Sequence, residues 1–125
     1  MNVEIRSIRN PGELEDERLV LRVLRDCDIG RFFTFDTTYT EDGRVSNLVR
    51  HPYWFPDKEV KTGDLVVVYT KSGRQSEKVN SDGSTSHFFY RGMERTIWNQ
   101  VRDCAVVLEI SDWKSKGYEK GQQES

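Results

Sequence analysis

The residues able to do chemistry are few and scattered. Histidine occurs at His51 and His87 only, and cysteine at Cys27 and Cys104 only. Neither histidine stands at metal-ligand spacing from a cysteine or carboxylate, so no metal site is expected. A Cys104–His87 nucleophile–base pair would have to be assembled by the fold, since nothing local joins them. The run Glu13, Glu15, Asp16 and Glu17 lacks the alternating oxygen ligands around a glycine that a cation loop uses, and reads as a solvated turn. Gly63 and Gly73 stand alone and make no phosphate-cradling loop. The expectation is therefore no catalytic residue, no cofactor and no enzyme. Binding chemistry is better supplied. Tyr53, Trp54, Phe88, Tyr90 and Arg91 are the candidate contact residues, because aromatic and arginine side chains dominate interface energetics.

Composition narrows the partners. The 125 residues are enough for one domain with a core, and 35% hydrophobic with 11% aromatic residues supply it. The charged fraction is 32% but nearly balanced at a net charge of −2, which does not imply a diffuse nucleic-acid-binding face. Arg18, Arg22, Arg25, Arg31, Arg44 and Arg50 crowd the first half and read as a solvated face. Met1 to Arg6 carries no apolar signal segment and nothing later suits a membrane span, so a soluble, cytoplasmic chain is expected. In a reducing compartment Cys27 and Cys104 stay thiols, read as small buried residues. An immunoglobulin-type bridge would want tyrosine two positions before the second cysteine, where Arg102 stands.

The elements that must position these groups read as strands. Val3, Ile5 and Ser7 alternate with Glu4 and Arg6. Asn10-Pro11-Gly12-Glu13 resembles a helix start, yet Leu19, Leu21 and Val23 keep a strand period, so a strand is expected over roughly Arg18 to Leu24. Phe32 to Tyr39 is aromatic and β-branched, with Phe33, Phe35, Thr37 and Tyr39 on one face and Thr34 and Asp36 on the other. Val45 to Val49 fits a short strand or a helical turn equally well. Two prolines bracket His51 to Pro56, which reads as an extended aromatic loop rather than a helix or central strand. Leu65 to Tyr69 is apolar on both faces and should be a central strand covered twice. Ser72 to Thr85 is a loop or mobile hairpin, His87 to Arg91 resumes a strand, and Asp103 opens the last one. Residues 1–113 form the single domain, and Lys114 to Ser125 should be disordered. Short strands with frequent turns and no convincing helix mean an all-β sandwich or barrel.

His51-Pro52-Tyr53-Trp54-Phe55-Pro56, then Gly63-Asp64-Leu65-Val66-Val67-Val68-Tyr69-Thr70, then Trp98-Asn99 and Asp103-Cys104-Ala105-Val106-Val107-Leu108, resemble the lamin tail domain. The likeness runs best from His51 to Ile110. It departs where that family tends to place glycine before the aspartate and this chain has Val101-Arg102. The resemblance implies an immunoglobulin-like β-sandwich of two antiparallel sheets, and an adaptor that binds a protein, a second copy of itself included, through loops or a sheet edge. Structural service is expected of Trp98 as a core plug and of Asn99, Asp64 and Asp103 as turn anchors. The alternative is single-stranded nucleic-acid binding through arginines interleaved with rings, as in Arg31-Phe32-Phe33; charge balance and inward-pointing rings make it the less favoured partner. A small hydrolase with an unrecognised site is the second alternative.

Overall fold

The computed structural model describes residues 1–118. The chain is all-β, with strands β1 (Val3–Arg9), β2 (Arg18–Val23), β3 (Cys27–Asp28), β4 (Phe32–Thr38), β5 (Arg50–Trp54), β6 (Glu59–Val60), β7 (Leu65–Tyr69), β8 (Ser76–Val79), β9 (Thr85–Tyr90) and β10 (Asp103–Glu109). They form a five-stranded sheet in the order β1-β2-β7-β9-β8, a three-stranded sheet β10-β4-β5 and a short ribbon β3-β6. One apolar core joins all three. Leu19, Leu21, Val66, Val68 and Phe89 of the large sheet meet Phe32 of the small sheet, Phe55 beyond β5, Val60 of the ribbon and Ile29 beside it. Phe55 and Phe89 lock edge to face at 5.2 Å and 83°. Each such side chain, fully buried, contributes about 1.5–3 kcal/mol.

Several expectations change on contact with this architecture. The large sheet is not purely antiparallel, because β7 and β9 run parallel in register from Leu65↔Ser86 to Tyr69↔Tyr90. The polar Ser72 to Thr85 stretch makes this possible by folding β8 onto β9 as an antiparallel hairpin at the sheet edge. The proline-bracketed segment is a strand after all. Arg50–Trp54 occupies an edge of the small sheet, where Pro52 removes no bond that a second neighbour needs. His51 sits there at φ 50°, beside a shift in strand register. Strand β7 is central, between β2 and β9, but only its Val66 and Val68 face meets the core. Val45 makes an isolated bridge to Tyr39 and nothing longer. Lys114 to Tyr118 form no strand or helix, and the remainder of the expected tail lies outside the described residues.

The anchors behave as their chemistry suggests. Trp98 is 5% exposed, and Asn99 donates Nδ2–H to the Thr96 carbonyl at 3.0 Å. Asp103 Oδ2 accepts the N–H groups of Asn99 and Gln100. Cys104 is buried, Cys27 is half-buried against the core, and both are free thiols whose pKa burial pushes up. Of the acidic run, Glu13, Glu15 and Asp16 are exposed, but Glu17 is 0% exposed and belongs to the interior. It was read as solvated; the strand period of β2, carried one step back, turns it inward beside Leu19.

Asp64 does more than hold a turn. Its Oδ2 lies 2.8 Å from His87 Nε2 and accepts the Lys61 N–H, while Oδ1 accepts the Thr85 N–H. Burial pushes this carboxyl up, yet the His87 contact and those backbone donors outweigh it and hold the group below its ordinary range. A depressed carboxylate contributes stability that is complete above the unfolded-state value, near pH 4, and is lost as pH falls through the lower folded value. The urea midpoint of the native chain should therefore exceed that of Asp64→Asn by a margin that holds at about pH 5 and shrinks below about pH 4. A margin unchanged down to pH 2.5 would remove the Asp64 charge from the account.

Candidate ligand-binding face

The outer face of the five-stranded sheet is built by strand alternation. Side chains opposite the core on β2, β7 and β9 are Arg18, Val20 and Arg22; Leu65, Val67 and Tyr69; and Ser86, Phe88 and Tyr90. Strand β1 adds Ser7 opposite Val20 and Arg9 opposite Arg18, with Arg6 at the register shift between them and Ile5. Val67 is packed between Val20 and Phe88 and is only 5% exposed. The apolar trio Val20, Leu65 and Val67 makes a floor. Arg6, Arg9, Arg18, Tyr69 and Phe88 rise around it to enclose a groove of about 300 Å³.

Tyr69 is the hub of the rings. It stacks on Tyr90 at 5.2 Å and 11°, the pairing that parallel register imposes, and touches Phe88 at 6.3 Å. Two cations flank it, with Arg18 Cζ 5.7 Å and Lys71 Nζ 5.3 Å from its centroid. Arg18 is held there by Asn10 Oδ1 and the Asp16 carbonyl. Arg6, Arg9 and Arg22 are exposed, and among the described residues none of them is in an ion pair within 4.0 Å. The acids nearby are Glu4, opposite Arg22 in the ladder, and Glu15, 3.5 Å from Lys71. Positive charge therefore exceeds negative charge on this face of a chain whose net charge is −2. Half-exposed rings beside guanidinium groups that have no carboxylate partner can stack flat groups and neutralise anions at once.

The five contact residues expected from sequence do not form one surface. Phe88 and Tyr90 lie on this face. Tyr53 turns inward, edge-on to Phe55 at 5.1 Å and Phe89 at 6.4 Å, and its phenol pKa is raised by burial. Arg91 lies over the Tyr53 ring at 5.8 Å and donates to the His51 carbonyl. Desolvation pulls its guanidinium down to about 10, and Nη2 is buried without a partner. Trp54 stands on the small sheet, with Nε1–H donated to the Gly30 carbonyl at 2.8 Å. Tyr69 and the β1 and β2 arginines were missed. The readable sign was Tyr69 itself, a ring with a polar tip closing the Leu65, Val67 face of β7.

Elsewhere the fold brings both histidines to carboxylates far away in sequence. His51 Nδ1 lies 2.5 Å from Asp36 Oδ1, with Arg50 Nε 3.5 Å from Oδ2 and Arg50 Nη2 3.8 Å from Asp103. This cluster ties β4, β5 and β10 together at one end of the small sheet. Among the described residues no group of three or more histidine, cysteine or acidic side chains is arranged to hold a metal ion, and no helix is long and apolar enough to cross a membrane. Comparisons with family models, with curated proteins and with solved structures each return no match.

Proposed function

We propose that this chain is a non-enzymatic binding module that docks single-stranded nucleic acid on the outer face of its five-stranded sheet. One observation carries the reading: Tyr69, backed by Tyr90, and Phe88 line an open groove with arginines that have no carboxylate partner. Each base has a π-face for the rings, and each phosphate a charge for a guanidinium, so the fit is sequence-tolerant. A duplex hides its base faces and gains only the electrostatic part. These are not the rings first considered, since Phe32 is fully buried in the core. We read the scaffold as an immunoglobulin-like sandwich, in keeping with the lamin-tail resemblance; two sheets around one shared core support it.

Fluorescence anisotropy with a labelled twelve-nucleotide strand, as DNA and as RNA, tests the proposal. Affinity should fall with salt at a log–log slope of about −2 to −3, the value for three or four phosphate contacts on single strands. The matching duplex should bind less tightly. Absence of binding in low salt, or binding indifferent to salt, would sink the reading.

A further inference from the structure

Outside the sheet face, Trp54 and Trp113 form a corner. Their rings stand 5.0 Å apart at 90°, and they remain 45% and 60% exposed. The Gly30 bond fixes the Trp54 ring, and Asp112 Oδ1 accepts the Trp113 N–H at 2.9 Å. Together with Asp28, Asp57, Asp112 and Arg31 they line a cavity of about 360 Å³. The carboxylates are placed rather than merely present. Asp28 Oδ1 accepts the N–H groups of Gly30 and Lys58 at 2.8 and 3.0 Å, leaving Oδ2 unspent. Asp57 sits against the bare backbone of Gly30, where a Cβ would lie 2.1 Å from its Oδ1.

The charge in this corner is unbalanced. Three carboxylates face one guanidinium, and among the described residues none of the three is in an ion pair, with Arg31 or any other cation. A neutral ligand would draw no attraction from that charge. A metal would need the carboxylates clustered, which they are not. A cation with a flat face suits both halves of the site: it stacks on indole, and its edge donates to carboxylates. Guanidinium does both, whereas ammonium is a strongly hydrated point charge with no plane.

We propose that this corner takes an arginine side chain presented by a partner polypeptide. The cavity is larger than a guanidinium group, which leaves room for the flanking main chain. The proposal does not depend on the nucleic-acid face, which lies on different strands.

The test uses the full chain labelled with nitrogen-15, following the indole signals of Trp54 and Trp113. A capped Gly-Ser-Arg-Ser-Gly peptide should shift both signals saturably. The citrulline version, isosteric but neutral, should bind roughly tenfold or more weakly, with lysine between them. Trp113→Ala and Asp57→Asn should each weaken the peptide while melting as the native chain does and binding oligonucleotide unchanged. Free arginine should bind less tightly than the peptide. No saturable shift, equal binding of citrulline, or full binding by Trp113→Ala would overturn the site. Free arginine binding as tightly as the peptide would overturn the polypeptide partner.

Discussion

Replacing Glu17 with alanine is expected to cost about 3–5 kcal/mol of folding stability, read as a large fall in the urea midpoint at constant slope. The carboxylate is 0% exposed and accepts four hydrogen bonds. Gly12 N–H (3.0 Å) and Trp98 N–H (3.1 Å) reach Oε1, and Ile97 N–H (3.0 Å) and the Thr70 hydroxyl (2.5 Å) reach Oε2. One side chain thus joins the turn before β2, the end of β7 and the loop that carries Trp98. Alanine would orphan the Thr70, Ile97 and Trp98 donors, all in buried bonds, and release the part-buried Gly12 N–H; each buried unsatisfied group costs about 1–3 kcal/mol before relaxation. Glutamine keeps one accepting oxygen but turns an NH₂ toward the donors on the other side, so Glu17→Gln should fall between alanine and wild type. Thr70→Val, which removes a single hydroxyl, should cost about 1 kcal/mol. A Glu17→Ala chain within 1 kcal/mol of wild type would show that water replaces the carboxylate.

Glu17 also shows where the sequence stops being readable. Asp64, Asn99 and Asp103 were legible as anchors because much of their bonding is to neighbours three or four residues away. Glu17 spends its charge on Thr70, Ile97 and Trp98, and no local pattern records that. The same holds for His51 with Asp36 and His87 with Asp64, pairs created by strand register. Strand β2 announced itself by the alternation of Leu19, Leu21 and Val23, and β4 by its aromatic and β-branched run. Strand β8 could not, because Ser76, Glu77, Lys78 and Val79 are all exposed and leave no apolar period. In β5 the proline rule was sound but went too far, since it forbids a central position and permits an edge. The outer face was misjudged for a related reason. Leu65, Val67 and Tyr69 look like a second buried face, and Val67 is indeed buried, but among the described residues no further layer lies over them and the groove is a surface.

Two sets of substitutions on that groove should then fail in different ways. Arg6→Ala with Arg9→Ala removes two exposed guanidinium groups that hold nothing else in place among the described residues, so the melting temperature should stay within the range of neutral surface changes. Binding of a single strand should weaken severalfold at low salt, and the salt slope should become shallower by about 1.4, since each lost phosphate contact removes about 0.7. Tyr69→Ala takes away the ring that stacks on Tyr90 and receives Arg18 and Lys71. Its loss should weaken binding by about 1–3 kcal/mol, roughly five- to 150-fold, while the salt slope stays nearly where it was. The pair of outcomes separates mechanisms that a single variant would confuse. A merely basic surface would respond to the arginines and ignore Tyr69. An apolar docking face for a peptide would respond to Tyr69 with no salt slope to lose. Only a face that stacks bases and neutralises phosphates together predicts both changes, each on its own axis.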